Sequence, residues 1–283
     1  MFVRLNDNKG LLKMRFVCPK CKEKLNILEG RCACVNGHSF DRAKGRYYNL
    51  LLSGSGGVHG DNKEMVIARR AFLGAGYYEP LAKRLSELAL SYIPDKGCLL
   101  DAGAGEGYYT DMIERALFDR DGVSDVSAFD ISKDAVREIG KKNSRISIAV
   151  AGSYHMPCGD CSFDAVVNTF SPLALEETRR VLKPGGVFIM AIPGVEHLFD
   201  LKAVIYDTPY KNVVADTHLE GFKLIVDESL SYKMQLDTQE KIANLFMMTP
   251  YAYRTKPTDK AKVEALSSLE CTADFRIFVY KKL

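Results

Sequence analysis

The chain has 283 residues, of which 47% are hydrophobic and 27% charged, a composition that excludes a disordered protein. The length accommodates one α/β domain of ordinary size and a small additional module. No apolar run approaches the roughly 20 residues that a membrane-spanning helix needs, and the N-terminus lacks the apolar segment of a signal peptide. These features predict a cytoplasmic protein.

The net charge of +3 is unevenly distributed along the chain. Residues 1–46 contain eleven Lys and Arg but four Asp and Glu, a local charge of +7 that leaves −4 for the remainder. A basic end on a mildly acidic body is typical of a module that docks on a polyanion, and a solvated surface is the alternative.

Four of the eight cysteines lie within 17 residues. Without a secretory signal, this clustering favours a metal site over disulfides. The spacing Cys18-x2-Cys21 and Cys34-x3-His38 supplies two ligand pairs, as a tetrahedral Zn²⁺ requires. Cys32 is a second candidate for the third ligand, and we prefer Cys34. Four protein ligands leave no position open for water, so the prediction is a structural zinc site, with buried unligated cysteines as the alternative.

Basic residues surround this cluster. We expect Lys20, Lys22 and Lys24 to contact the phosphates of a nucleic acid, because ammonium groups on a rigid module release counterions when they meet a phosphate backbone. A protein-binding surface is the alternative.

The composition changes after the module, where residues 53–60 read Ser-Gly-Ser-Gly-Gly-Val-His-Gly, a typical flexible linker. We therefore expect an N-terminal extension at 1–15, a zinc-binding module at 16–52, a linker at 53–62 and a catalytic domain at 63–283. Met14 is a second candidate for the initiating residue, in which case the first thirteen residues are an added extension.

From Asn62 to about Tyr92 apolar residues recur with a helical period, and Gly74 and Gly76 divide the segment into two helices. Strand-like and helical segments then alternate, which predicts an α/β fold with a doubly wound, mostly parallel sheet of seven strands. The expected strands are Cys98–Ala102, Val123–Phe129, Ile146–Val150, Phe163–Thr169 and Gly186–Ile192, with helices at Tyr109–Phe118, Lys133–Lys142 and Leu175–Leu182. The tail adds helix Val195–Tyr206, strand Phe222–Ser231, helix Thr238–Met248 and strand Asp274–Tyr280, the two strands closing the sheet as an antiparallel pair.

The first expected strand ends in Asp101, and Gly103, Gly105 and Gly107 follow it. Glycine is required where the backbone turns sharply and approaches a ligand. The spacing G-x-G-x-G is shorter than the G-x-G-x-x-G of pyrophosphate sites, and an acidic Asp101 suits the ammonium group of a methionine moiety better than a phosphate. Asp130, which ends the next strand, is placed to accept ribose hydroxyls. The pattern resembles the class I S-adenosylmethionine-dependent methyltransferases, a Rossmann-like family, and NAD binding is the alternative.

The remaining cofactor contacts follow from the same resemblance. Tyr108, directly after the glycines, is expected to line the cofactor side. Many relatives place an acid after the third strand against the adenine, but here Gly152 holds that position, and Ser153 or the backbone is the expected substitute, with His155 nearby.

Phe170 follows the fourth strand, at the edge of the sheet where ligands of such folds bind. Base-modifying methyltransferases of this class often place an aromatic residue and a proline there, so Phe170 is the candidate for stacking a base, and a core Phe is the alternative.

The whole chain resembles the bacterial 23S rRNA (guanine-N1)-methyltransferases of the RlmA type. The resembling segments are the zinc cluster, Tyr48–Leu51, Ala68–Leu73, Asp101–Tyr109, Ala191–Gly194 and Met248–Pro250. The resemblance implies S-adenosylmethionine and Zn²⁺ as cofactors, N1 methylation of a guanine in hairpin 35 of 23S rRNA, near the macrolide site of the exit tunnel, and a homodimer. Some members lend resistance to tylosin-like drugs, and members divide between two neighbouring guanines.

Two further roles are expected. A base must accept the guanine N1 proton, and His155 is preferred over His197 because of its place after the third strand. Arg69 and Arg70 are candidates for clamping the RNA backbone, since guanidinium groups fit phosphates, and pairing with nearby acids is the alternative.

Two rival functions remain. A small-molecule methyltransferase of the quinone or lipid type shares the Asp101 and glycine pattern but needs no basic module. A non-catalytic RNA-binding protein with a decayed fold conflicts with the intact Asp101, Gly103, Gly105 and Asp130.

Overall fold

The structure, a computed structural model, describes residues 14–52, 60–214 and 217–283. The expected extension at 1–15 and linker at 53–62 therefore lie mostly outside the described residues. None of the helices in these ranges combines the length and apolarity needed to cross a membrane.

A three-stranded antiparallel sheet forms the N-terminal module, in the order β1 (Asn26–Leu28), β2 (Arg31–Ala33), β3 (Ser39–Asp41). Its hairpin turns at Gly30, whose φ of 67° is left-handed and therefore suits glycine. The next strand, β4 (Tyr48–Asn49), leaves this small sheet and pairs in parallel with the large one.

Two helices precede the α/β region, as the periodicity predicts. Helix α1 (Lys63–Gly74) begins where the Asn62 side chain accepts the Met65 amide, and α2 (Glu79–Tyr92) begins beside Pro80. Gly76, with a φ of 85°, lies in the turn between them, so the expected break is present.

The alternation that follows is β5 (Cys98–Ala102), α3 (Tyr108–Asp121), β6 (Asp125–Asp130), α4 (Lys133–Lys142), β7 (Ser147–Val150), β8 (Phe163–Thr169), α5 (Leu175–Val181) and β9 (Leu182–Pro193). A 3-10 turn at Ser153–His155 follows β7. Strands β5 to β9 run parallel to one another and are almost wholly buried, as strands covered on both faces must be.

The C-terminal part is α6 (Phe199–Ile205), β10 (Phe222–Leu236), α7 (Gln239–Met247), α8 (Tyr251–Arg254), α9 (Pro257–Glu264) and β11 (Leu269–Lys282). The two strands pair antiparallel with each other, and β11 pairs antiparallel with β9. Both are longer than expected, and α8 and α9 were not expected because their short segments carry no clear apolar period.

The large sheet has the order β10-β11-β9-β8-β5-β6-β7-β4. Strands β5 to β11 are the seven expected strands, and β4 from the N-terminal module adds an eighth at the edge. The order reverses at β5, where one βα crossover leads to β6 and the chain later returns to β8 on the other side. This switch point opens a crevice at the carboxyl ends of β5 and β8.

The N-terminal module packs directly against the α/β domain. Phe16 is fully buried, and its backbone forms an antiparallel β-bridge with Cys158. The Arg15 guanidinium binds the Asp125 carboxylate at 2.6 Å. At a second contact, a Cβ on Gly140 would lie 1.9 Å from the Gly45 carbonyl oxygen, so glycine is required there. The zinc module therefore shares buried surface with the catalytic domain.

Candidate zinc centre and cofactor cavity

The structure brings the four expected zinc ligands together. The ligand atoms of Cys18, Cys21, Cys34 and His38 all lie within 4.8 Å of one another. His38 Nδ1 is 3.5 Å from Cys18 Sγ and 3.4 Å from Cys21 Sγ, and the Sγ atoms of Cys21 and Cys34 are 3.6 Å apart. Zn–S bonds of about 2.3 Å at tetrahedral angles separate two sulfurs by about 3.8 Å, so the group fits Zn²⁺. It is a closed, structural site.

Cys32 lies outside this group. It is fully buried in the middle strand of the small sheet, opposite Ile27 and Phe40, and burial raises the pKa of its thiol to about 12. Cys34 instead lies in the turn after that strand, where its amide donates to the His38 carbonyl at 3.0 Å. The end of β2 at Ala33 therefore separates the two cysteines, because Cys32 packs within the small sheet and Cys34 lies in the following turn with the other ligands.

Lys20, Lys22 and Lys24 all lie on the exposed surface of the zinc module. Their contact with RNA remains a prediction.

A cavity of about 760 Å³ opens at the switch point of the large sheet. Its volume lies in the range of small-molecule sites. One half is lined by the glycine-rich turn and two strand-end carboxylates, and the other half by aromatic rings and loops of the C-terminal part.

The glycine-rich turn has the backbone that its composition requires. Gly103, Gly105 and Gly107 have φ values of 90°, 56° and 78°. A Cβ on Gly103 would lie 2.0 Å from the Ser171 hydroxyl, and one on Gly107 would lie 2.8 Å from Ile139. A Cβ on Gly105 would meet only the Arg69 side chain, at an ordinary contact distance of 3.7 Å, so the turn is less crowded here.

Two buried carboxylates flank this turn. Asp101 accepts the Thr110 hydroxyl at 2.5 Å with one oxygen, and its other oxygen is buried without a partner. Burial, with a smaller contribution from the charge of Asp130, raises the pKa of Asp101 to about 7. Asp130 accepts the amides of Gly105 and Ser132 at 2.9 and 2.8 Å, and burial raises its pKa too. Asp101 and Asp130 lie at the carboxyl ends of β5 and β6, as the sequence predicts.

S-adenosylmethionine fits this half of the cavity. Asp101 Oδ1 and Glu106 Oε1 are buried and unpartnered, so they await donors from a ligand. Asp101 would hold the ammonium group, Asp130 the ribose hydroxyls, and the exposed face of Gly105 would admit the chain between them. Tyr108 lines the same half, as expected.

Two residues that were expected to contact the cofactor are not part of the described cavity lining. Ser153 is half-buried and His155 is exposed on the 3-10 turn after β7, and neither is among the described residues that line the cavity. Their cofactor contacts remain predictions.

The structure places the two candidate proton acceptors apart, and the preference for His155 stays a prediction. His197 lines the cavity, whereas the preferred His155 does not. His197 Nδ1 accepts the Asp274 amide at 3.3 Å and Nε2 lies 3.3 Å from the Tyr78 hydroxyl, so both ring nitrogens are engaged. Burial lowers the pKa of His197 to about 3, which keeps the ring neutral. The structure therefore gives His197 a supporting part in the cavity wall.

Phe170 is the centre of the aromatic half. Its ring lies 6.1 Å from His197, nearly parallel to it, 5.6 Å from Phe275 and 6.4 Å from Tyr78. The side chain remains 38% exposed, and a φ of 58° places its backbone in the left-handed region, an uncommon conformation for a bulky residue. Strain of this kind is concentrated at functional sites, where surrounding contacts maintain it.

The two candidate clamp arginines are both paired within the molecule. Arg70 binds Glu138 at 2.7 Å and is 44% exposed, whereas Arg69 points into the cavity and pairs with Asp61. The alternative of intramolecular pairing is the arrangement found. Sequence reasoning missed Glu106 and Arg254 as cavity residues, although Glu106 lies within the glycine motif itself.

The zinc site gives the first prediction. Cys34→Ser should lose most bound zinc and unfold at a lower temperature, because three strong ligands remain for a site that needs four. Cys32→Ser, an equally buried neighbour, should keep one zinc per chain. Metal content by mass spectrometry checks both, and equal zinc loss in the two variants would contradict the ligand set.

Asp101 gives a prediction on pH. Its raised pKa of about 7 means that the carboxylate form, which binds the ammonium group, is only partly populated below neutrality. The Kd for S-adenosylmethionine should therefore rise up to about tenfold from pH 7 to pH 6. Calorimetric titration measures it, with the exposed Asp134→Asn as control. Asp101→Asn should bind more weakly and with a shallower pH dependence. A wild-type Kd that is constant between pH 6 and 7.5 would refute this.

Comparison with known proteins supports both parts of the molecule. A zinc ribbon family described as RlmA, N-terminal, matches residues 16–52, and the Methyltransferase domain family matches residues 100–190. The solved structure of the YcgJ protein from Bacillus subtilis aligns with a TM-score of 0.44 at 15% identity, over 70% of this chain and 97% of that one.

Two curated relatives align over most of both chains. A Micromonospora griseorubida protein, provisionally named 23S rRNA (guanine-N(1)-)-methyltransferase, is 31% identical over 94% of this chain and 97% of its own length. The 23S rRNA (guanine(748)-N(1))-methyltransferase of Streptomyces fradiae is 30% identical over 87% and 88%. With this identity over nearly the full length, a zinc ribbon and a methyltransferase cavity in place, the chain belongs to the family of S-adenosylmethionine-dependent 23S rRNA (guanine-N1)-methyltransferases.

Proposed function

We propose that this protein transfers the methyl group of S-adenosylmethionine to N1 of a guanine in hairpin 35 of 23S rRNA. The observation that carries the proposal is the near full-length alignment with the Streptomyces fradiae enzyme, whose name specifies guanine 748 and N1. The proposal includes the homodimer that the family resemblance implies.

The cavity supports this chemistry by positioning. S-adenosylmethionine, when bound, would supply a methyl group on a sulfonium. The N1–methyl bond would form as the sulfur–methyl bond breaks to leave a thioether, and the N1 proton would pass to a base, for which His155 stays the candidate. The chain's part is to align the two reactants, which accounts for much of the acceleration in such displacements. Gly103 packs against Ser171, next to Phe170, so the cofactor half and the aromatic half are in direct contact.

The aromatic half suits a flipped base. The half-exposed Phe170 ring offers a stacking face, and aromatic stacking on a base contributes about 1–3 kcal/mol. Pro172 and Pro193 border the same space, and Tyr210 and Tyr251 add further rings.

A basic, aromatic surface lies at the mouth of this half. Arg254 lines the cavity and is exposed, with no ion pair among the described residues. Tyr253 is 50% exposed beside it, and Lys256 is exposed next along the chain. Together with the zinc-module lysines, this surface would contact phosphates flanking the guanine, since such contacts position nucleic acid without reading its sequence.

Methyl transfer to 23S rRNA lacking its modifications tests the function. Primer extension should stop at one guanine of hairpin 35, because an N1-methyl blocks the pairing edge. Phe170→Ala should lower kcat/KM by about 10- to 100-fold through lost stacking, whereas Phe170→Tyr should stay close to wild type. Transfer to quinone or lipid acceptors but not to RNA would refute the proposal.

Arg254 provides a test of the RNA path. Arg254→Ala should weaken 23S rRNA fragment binding and reduce the slope of log K against log salt by about 1, since one phosphate contact is lost. Arg115→Ala, an exposed arginine on α3 outside the cavity lining, is the matched control. Equal slopes for the two variants would place the RNA elsewhere.

A further inference from the structure

Arg69 lies deep in the cavity although its sequence position suggested an RNA-facing helix. The side chain is 23% exposed. Its guanidinium pairs with Asp61, lies 4.0 Å from the Glu106 carboxylate and donates to the Met248 carbonyl at 3.2 Å. Contacts from three separate segments of the chain thus hold it at a fixed position.

The Arg69 guanidinium lies beside Gly105, in the glycine-rich turn. The nearest atom to a Cβ built on Gly105 is Arg69 Nη1, at 3.7 Å. Gly105 in turn donates its amide to Asp130 at 2.9 Å. The guanidinium therefore faces the same space through which the cofactor approaches the turn.

The acidic lining of the cavity means that a ligand carboxylate needs a cation beside it, and Arg69 is placed to supply one. The described lining residues include four carboxylates, Asp61, Asp101, Glu106 and Asp130, and two cations, Arg69 and the exposed Arg254. The methionine moiety of S-adenosylmethionine carries an ammonium group and a carboxylate on one carbon. The acids suit the ammonium, but they repel the carboxylate unless a cation stands beside it.

Arg69 retains N–H donors that can bind a ligand carboxylate. A guanidinium carries five N–H donors, and Arg69 uses one on Asp61 and one on Met248 in direct hydrogen bonds. Its planar fork also matches the geometry of a carboxylate.

We propose that Arg69 binds the carboxylate of the methionine moiety of S-adenosylmethionine, while Asp61 and Glu106 hold the guanidinium in place. The inference rests on the cofactor of the proposed function and not on its RNA target. Arg69 is thereby assigned to cofactor binding in place of RNA binding. Arg70, the half-exposed next residue of α1, stays the candidate for RNA binding.

Calorimetric titration with three ligands tests the proposal. S-adenosylmethionine and S-adenosylhomocysteine carry the carboxylate, whereas 5′-methylthioadenosine lacks the whole amino-acid part. Arg69→Gln should weaken the first two by about 10- to 100-fold, as expected for a lost charged hydrogen bond, and leave 5′-methylthioadenosine unchanged. Arg69→Lys should recover part of the loss, and Arg70→Gln should bind all three like wild type.

Each other outcome overturns the proposal. Unchanged binding of all three ligands would leave Arg69 outside the cofactor site, and equal weakening of all three would make its role structural. Should Arg69→Gln fail to fold, Arg69→Lys carries the same comparison: no selective loss for the carboxylate-bearing pair would reject the contact. Primer-extension mapping of the wild-type enzyme tests the RNA target separately, so either idea can fail alone.

Discussion

The burial of several carboxylates around one glycine turn is the constraint on which this site depends. Asp101, Asp130 and Glu106 are removed from water at the carboxyl edge of the sheet, and burial raises the pKa of each. Burying charge is costly unless hydrogen bonds or cations offset it. Backbone amides satisfy Asp130, but oxygens of Asp101 and Glu106 stay unpartnered. A ligand that brings an ammonium group and a sulfonium would supply the donor and the positive charge that these buried oxygens require.

The same turn connects the two halves of the cavity. Gly103 has no side chain because the Ser171 hydroxyl occupies that space, and Phe170 adopts a left-handed backbone immediately before it. The rings of His197 and Phe275 support Phe170 from the C-terminal part. In the proposed function, this packing would fix the distance between the methyl donor and a base stacked on Phe170, as catalysis by positioning requires.

The zinc ribbon is joined to this arrangement by continuous structure. Strand β4 extends the large sheet from the module, and the Arg46 guanidinium donates to the carbonyls of Gly140 and Asn143 in α4. Its exposed lysines are consequently held in a set orientation relative to the α/β domain. RNA bound to both surfaces would enter the active site in one direction, with the metal stabilising the module and taking no part in the chemistry.

The sequence by itself determined the features that depend on short spacing. These are the zinc ligands at Cys18, Cys21, Cys34 and His38, the glycine turn after Asp101, and the order of strands and helices, because each is set within a few residues of chain. Only the tertiary structure decided the place of Arg69 in the cavity, the entry of His197 in preference to His155, and the eighth strand from Tyr48–Asn49. Those depend on which distant segments pack over the carboxyl edge of the sheet, and local periodicity carries no information about that packing.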